Sequence, residues 1–117
     1  MVRKPAQPVA QLGEIEVRAM ATAFQALADP VRLSIVLALV NKKQLTPSEL
    51  AQALGRRAAN ISVNLRLLSM AGLVVRGARG KTSPYRVDVE GLERVGAMLS
   101  RCNPRIQADR TEGGSAV

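Results

Sequence analysis

The sequence predicts a mainly α-helical domain with one small β-hairpin, in the order α-α-α-α-β-β-α. Three observations carry that expectation. Apolar residues recur at helical spacing through most of 12–71 and again over 90–102. Stop and start signals divide those stretches at Asp29-Pro30, Thr46-Pro47-Ser48-Glu49, Gly55 and Gly72. Two short β-rich runs, Leu73-Val74-Val75 and Tyr85-Arg86-Val87-Asp88-Val89, flank a polar loop between the last two helical stretches.

Each element has its own reason. Residues 1–11, with Pro5 and Pro8 among small and polar residues, read as a flexible arm. A first helix over 12–28 carries the stripe Leu12, Ile15, Ala19, Ala23 and Leu27, widened by Val17, Met20 and Phe24. Asp29 suits an N-cap and Pro30 the first turn of a second helix over 30–40. That helix is apolar nearly all round, at Val31, Ile35, Val36, Leu37, Leu39 and Val40, and is expected to be the buried one. After the polar stretch 41–44, Thr46 caps, Pro47 takes the first helical position and Glu49 completes a capping box. Gly55 ends that short third helix. A fourth runs over 58–71 with Ile61, Leu65, Leu68 and Ala71 inward, and Gly72 stops it. Two short helices joined only by Gly55-Arg56-Arg57 form a helix-turn-helix pattern. The hairpin follows, with Pro84 confined to a strand start or edge. A last helix over 90–102 presents Leu92, Val95, Met98 and Leu99, with Gly91 and Gly96 allowing close approach. Residues 103–117 have the composition of a disordered tail, so 12–102 are expected to form the one domain.

Composition removes several classes of function. The 117 residues include no histidine, the commonest metal ligand and general base. Cys102 is the single cysteine, so neither an intrachain disulfide nor a thiolate zinc cluster can form. Phe24 and Tyr85 are the only aromatics, too few for a base-stacking platform. The basic N-terminus is not followed by an apolar stretch of signal-peptide length, and the longest apolar run, 35–40, is too short to span a bilayer. A cytoplasmic chain with no membrane role is therefore expected. Without histidine, a phosphate loop, an activated serine motif or a carboxylate pair in a glycine-framed cleft, neither an enzyme nor a cofactor is expected.

Charge points the other way, toward a polyanion. Lys and Arg number 17 against 9 Asp and Glu, a net charge of +8. Between Leu50 and Val87 lie Arg56, Arg57, Arg66, Arg76, Arg79, Lys81 and Arg86 and no acidic residue. A basic run is often just a solvated face. Here it coincides with the turn, the second helix of the pair and the hairpin tip, the elements that a winged helix sets against a duplex. The exposed face of the recognition helix is expected to hold Ala58, Ala59, Asn60, Ser62, Val63 and Arg66. Asn60 suits an adenine edge, Arg66 guanine or phosphate, and Ala59 or Val63 a thymine methyl. Asn60 and Ser62 have local backbone capping as their alternative, and Val63 partial burial. Arg76, Arg79 and Lys81 belong to the wing, whose tip suits a minor groove or its phosphates. Arg32, on the buried second helix, is expected to pair with an acid or a carbonyl rather than with DNA.

These residues resemble the ArsR/SmtB family of winged-helix repressors. Ala26-Leu27-Ala28-Asp29-Pro30-Val31-Arg32-Leu33 looks like that family's junction between its first two helices. Glu49-Leu50-Ala51 with Leu54-Gly55 is similar to its third helix, Ile61–Leu68 with Ala71-Gly72-Leu73-Val74 to its recognition helix and exit, and Gly80 with Tyr85-Arg86-Val87 to its wing. The MarR and other winged-helix lineages share the order of elements, so the Leu27–Leu33 stretch carries the distinction. The resemblance implies a homodimer paired through the first and last helices, bound to an inverted-repeat operator in double-stranded DNA and released by an effector. The chain departs from the family at Asn64, where a histidine is usual, and at Arg57, where a small polar cap is usual. Thr46 and Ser48 stand where metal-sensing members carry Cys-x-Cys, and the usual histidine ligands of the last helix are missing, so no metal site is expected.

Cys102 is the remaining candidate sensor. A lone thiol can be oxidised or pair with its twin across a dimer, and Arg101 and Arg105 favour its thiolate; the alternative is a bystander near a fraying terminus. The leading expectation is a sequence-specific repressor of unknown effector. The alternatives are a thiol-responsive repressor acting through Cys102 and a non-specific module whose basic face docks DNA or an acidic protein.

Overall fold

The computed structural model describes residues 13–77 and 82–102. The elements follow in the predicted order: α1 (Glu14–Leu27), α2 (Pro30–Lys42), α3 (Pro47–Leu54), α4 (Ala58–Met70), β1 (Val74–Arg76), β2 (Tyr85–Val87) and α5 (Val89–Cys102). The arm 1–11 and the tail 103–117 of the sequence reading lie outside the described residues.

Local signals account for the boundaries. The Asp29 carboxylate accepts from the backbone N–H groups of Val31 and Arg32, both at 3.0 Å, and Pro30 supplies a first-turn residue with no N–H to satisfy. At α3 the capping box closes in both directions: Thr46 Oγ1 accepts from Glu49 N–H at 3.1 Å, and Glu49 Oε1 accepts from Thr46 N–H at 2.8 Å. Gly55 ends α3 with φ 65°, the left-handed conformation that glycine adopts without penalty. The α5 start is capped by Asp88, whose Oδ1 accepts from Gly91 N–H at 3.1 Å.

The strands pair antiparallel with Val74 opposite Val87 and Arg76 opposite Tyr85. A third segment joins them. Leu45 and Tyr85 exchange both backbone hydrogen bonds, at 3.1 and 2.8 Å, so the stretch before α3 is stitched to the edge of the hairpin. Of the polar stretch 41–44, expected as a connection, Asn41 and Lys42 continue α2, and Leu45, for which the sequence shows no role, supplies the bridge. One bridged pair is too short to leave a period-two signature.

The core is built from Ala23, Ala26, Ile35, Val36, Leu39, Leu50, Ile61, Leu65, Leu68, Leu73, Val74 and Val95. Two expected stripes are only partly buried. On α1 the small Ala23 and Ala26 face inward, with Met20 and Leu27 packed beside them, whereas Ile15 is 82% exposed and Val17 and Phe24 are also exposed. On α2, Leu33, Leu37 and Val40 are exposed although the helix is apolar nearly all round. Both differences have one cause. Each helix is covered on one side by elements of the described chain, and among the described residues nothing covers the opposite side.

The two glycines of α5 also diverge. A Cβ on Gly91 would run into the carbonyl oxygen of Gly72, so this position does permit a close approach of α5 to the α4–β1 turn. A Cβ on Gly96 would meet nothing within 4 Å, against the expectation of close packing there.

Candidate nucleic-acid interface

The helix pair presents its second member along one open face. Gly55 turns the chain out of α3, Arg56 donates its backbone N–H to Ala51 O at 3.0 Å, and Arg57 enters α4 in an extended conformation (φ −72°, ψ 149°). Arg57 gives no side-chain cap to the first turn. From there the 3.6-residue period sorts the side chains. Ile61, Asn64, Leu65 and Leu68 point inward, while Ala59, Asn60, Ser62, Val63 and Arg66 are exposed. Val63 is 59% exposed, against the alternative that it packs on α3. Arg56 and Arg57 are exposed at the head of the same face.

The hairpin adds to it. Arg76 closes β1 and Arg86 lies in mid-β2, both exposed, and Gly77 N–H donates to Pro84 O at 2.8 Å to hold the base of the loop. Arg79 and Lys81 of the expected wing tip lie outside the described residues. Cys102 is the last residue of α5, and its side chain lies outside the described set.

Beneath the open face is a polar network that the sequence signals only in part. Arg32 Nε donates to Ala26 O at 2.6 Å, the expected carbonyl partner, near the end of α1. Its Nη1 donates to Asn64 Oδ1 on α4 at 3.1 Å. Asn64 Nδ2 in turn donates to Asn60 O at 2.9 Å and lies 3.4 Å from Asn60 Oδ1. Asn64 is only 8% exposed, so it is an interior residue and not a groove contact. The signal was available: 61, 64, 65 and 68 fall at i, i+3, i+4 and i+7, which places Asn64 on the inward stripe. Its partner across 32 positions of sequence was not.

Thr46 has its hydroxyl oxygen engaged as the α3 cap. Among the described residues no cluster of three or more His, Cys, Asp or Glu side chains is placed to hold a metal ion. Among them too, no single helix is long and apolar enough to cross a membrane.

Comparison with known proteins agrees with this geometry. Residues 27–76 match a helix-turn-helix domain family. Over 79 residues the chain is 37% identical to the HTH-type transcriptional regulator NmtR of Mycobacterium tuberculosis, covering 68% of this chain and 65% of NmtR. The ArsR-like transcriptional regulator from Rhodococcus sp. RHA1 superposes with a TM-score of 0.66 at 26% identity, over 84% of this chain and 90% of that one. The chain belongs to the ArsR family of winged-helix regulators. NolR from Sinorhizobium fredii has the same architecture, with a TM-score of 0.61, 25% identity and coverage of 86% and 96%. In this ArsR-family chain α4 is the second helix of the helix-turn-helix and the β1–β2 hairpin is the wing of the winged-helix fold.

Proposed function

We propose that this chain is a dimeric, sequence-specific DNA-binding repressor acting in the cytoplasm on an inverted-repeat operator. One observation carries the reading: the exposed face of α4, with Arg56 and Arg57 at its head and Arg66 along it, falls within a stretch, 50–87, that contains no acidic side chain. Arginines so placed neutralise phosphates, and the uncapped first turn of α4 offers backbone N–H groups to a further one. Ala59, Asn60, Ser62 and Val63 lie between these anchors, where an inserted helix meets base edges. Arg76 flanks them, and Arg79 and Lys81 complete the wing in this proposal.

Dimerisation through α1 and α5 is part of the proposal. Val17, Met20, Ala21, Phe24, Met98 and Leu99 line an apolar depression of about 260 Å³ shared by those helices. A copy related by a two-fold axis would cover it and set two α4 helices about 34 Å apart, one turn of duplex. Cys102 is the last residue of α5, three positions after Leu99, so a thiol-responsive form of the same repressor is the second reading.

The test is a titration of the purified protein against its own upstream DNA and a scrambled duplex across a salt series. Much tighter binding to the upstream DNA, with a steep salt slope on both, supports the repressor. Equal affinity at every salt leaves the non-specific module or a repressor whose operator lies elsewhere. No binding at low salt ends the nucleic-acid reading.

A further inference from the structure

The Arg32–Asn64–Asn60 chain of hydrogen bonds has a direction. A guanidinium only donates, so the atom of Asn64 that faces Arg32 must be its oxygen, and the amide nitrogen must face Asn60. That nitrogen donates to the Asn60 carbonyl at 2.9 Å and has its next acceptor, Asn60 Oδ1, at 3.4 Å. Within this arrangement the Asn60 side-chain oxygen is drawn inward and its NH2 group is left facing out of the helix. A free asparagine reads adenine with two prongs, donating to N7 and accepting from N6. An asparagine whose oxygen is turned inward to accept from behind presents its two donors to the groove, and its second lone pair faces inward with the oxygen.

Resting on the reading of α4 as the recognition helix, we infer that Asn64 is a positioning residue that sets the polarity of Asn60. Asn60 then selects an acceptor edge, foremost guanine with O6 and N7 side by side, instead of the adenine that its residue type suggests. Arg32 anchors the arrangement by fixing which way Asn64 is turned. The specificity of one base position is decided by two residues that never touch DNA.

The test is selection of bound sequences from a random duplex library by the wild-type protein, N60A, N64A and N64D, with a thermal melt of each variant. N60A identifies the base pair concerned, because preference is lost there and kept elsewhere. At that pair the wild type is expected to favour guanine over adenine about tenfold, the size of one good base contact. N64A frees Asn60 and brings adenine up to parity or beyond. N64D still accepts from Arg32 but cannot donate, so it turns the Asn60 NH2 inward and shifts selection toward the donor-bearing bases adenine and cytosine. A helix that is merely destabilised would bind all sequences more weakly without changing the preferred base. The inference is overturned if the wild type selects adenine at the Asn60 position, if N60A changes no preference, or if folded N64A and N64D select as the wild type does. The N60A comparison decides even where the interior variants fail to fold, because Asn60 is exposed. A wild-type protein that enriches no sequence overturns the recognition reading itself, and this inference with it.

Discussion

Arg32 shows how one side chain ties distant parts of the chain together. It lies on α2, holds a carbonyl near the end of α1 and orients an amide on α4. Leaving a buried acceptor without its donor costs about 1–3 kcal/mol, and R32A strands both Ala26 O and Asn64 Oδ1. Equilibrium urea unfolding should therefore show R32A destabilised by about 3 kcal/mol, and R32K by less, since a lysine reaches one acceptor at a time. Three residues earlier, Asp29 serves two first-turn amides of α2 at 3.0 Å. D29A should cost about 1 kcal/mol in the same measurement, the usual loss for a side-chain cap. Both roles differ in legibility. The Asp29 cap is a local matter and is visible in the Asp-Pro dipeptide. The carbonyl half of the Arg32 arrangement was foreseen, but the Asn64 half joins residues 32 apart and depends on how α2 crosses α4.

At the scale of elements, α4 and α5 make separate predictions. Arg57 opens α4 exposed and without a capping role, so under the proposed function its part in binding is through charge alone. R57A should weaken binding about equally on operator and scrambled DNA and lower the salt slope by about 1, as read from titrations at several salt concentrations. The melting temperature should stay close to that of the wild type. In α5, Gly91 is the point where helix backbone meets the Gly72 carbonyl, and no flexible side chain is there to give way. G91A should destabilise the fold by about 1–3 kcal/mol, the range for overpacking, whereas G96A meets open space and should be neutral or slightly stabilising in the same thermal melt. The two glycines are indistinguishable by residue type. Only the path of the α4–β1 turn separates them.

For the whole molecule, the informative feature is the apolar surface that the described residues leave uncovered. Ile15, Val17 and Phe24 of α1 and Leu99 of α5 are exposed, and the depression between those helices is lined almost wholly by apolar side chains. Contiguous apolar exposure of this kind marks an interface. A charge placed there, as in V17E or L99E, should convert a dimer to a folded monomer in sedimentation velocity, with an unchanged helical circular dichroism spectrum. Operator affinity should fall by at least tenfold, because one half-site is then bound without its twin.

Although α2 runs two residues past its expected end at Val40, the sequence by itself determined the helix starts at Pro30, Pro47 and Ala58, the order of the elements and the charge of the exposed α4 face. Those properties are written within a few residues of one another, in caps, glycines, periodicity and an acid-free stretch, so they survive without knowledge of the fold. Tertiary structure decided what proximity across the chain decides: which side of α1 and α2 is covered, that Leu45 pairs with Tyr85, that Gly91 and not Gly96 is a contact, and that Asn64 looks inward at Arg32. An apolar residue carries the same transfer free energy whether its own chain or a second copy covers it, so hydropathy alone cannot say which one does. Likewise an amide can donate or accept until a partner fixes its direction, and here that partner comes from another helix.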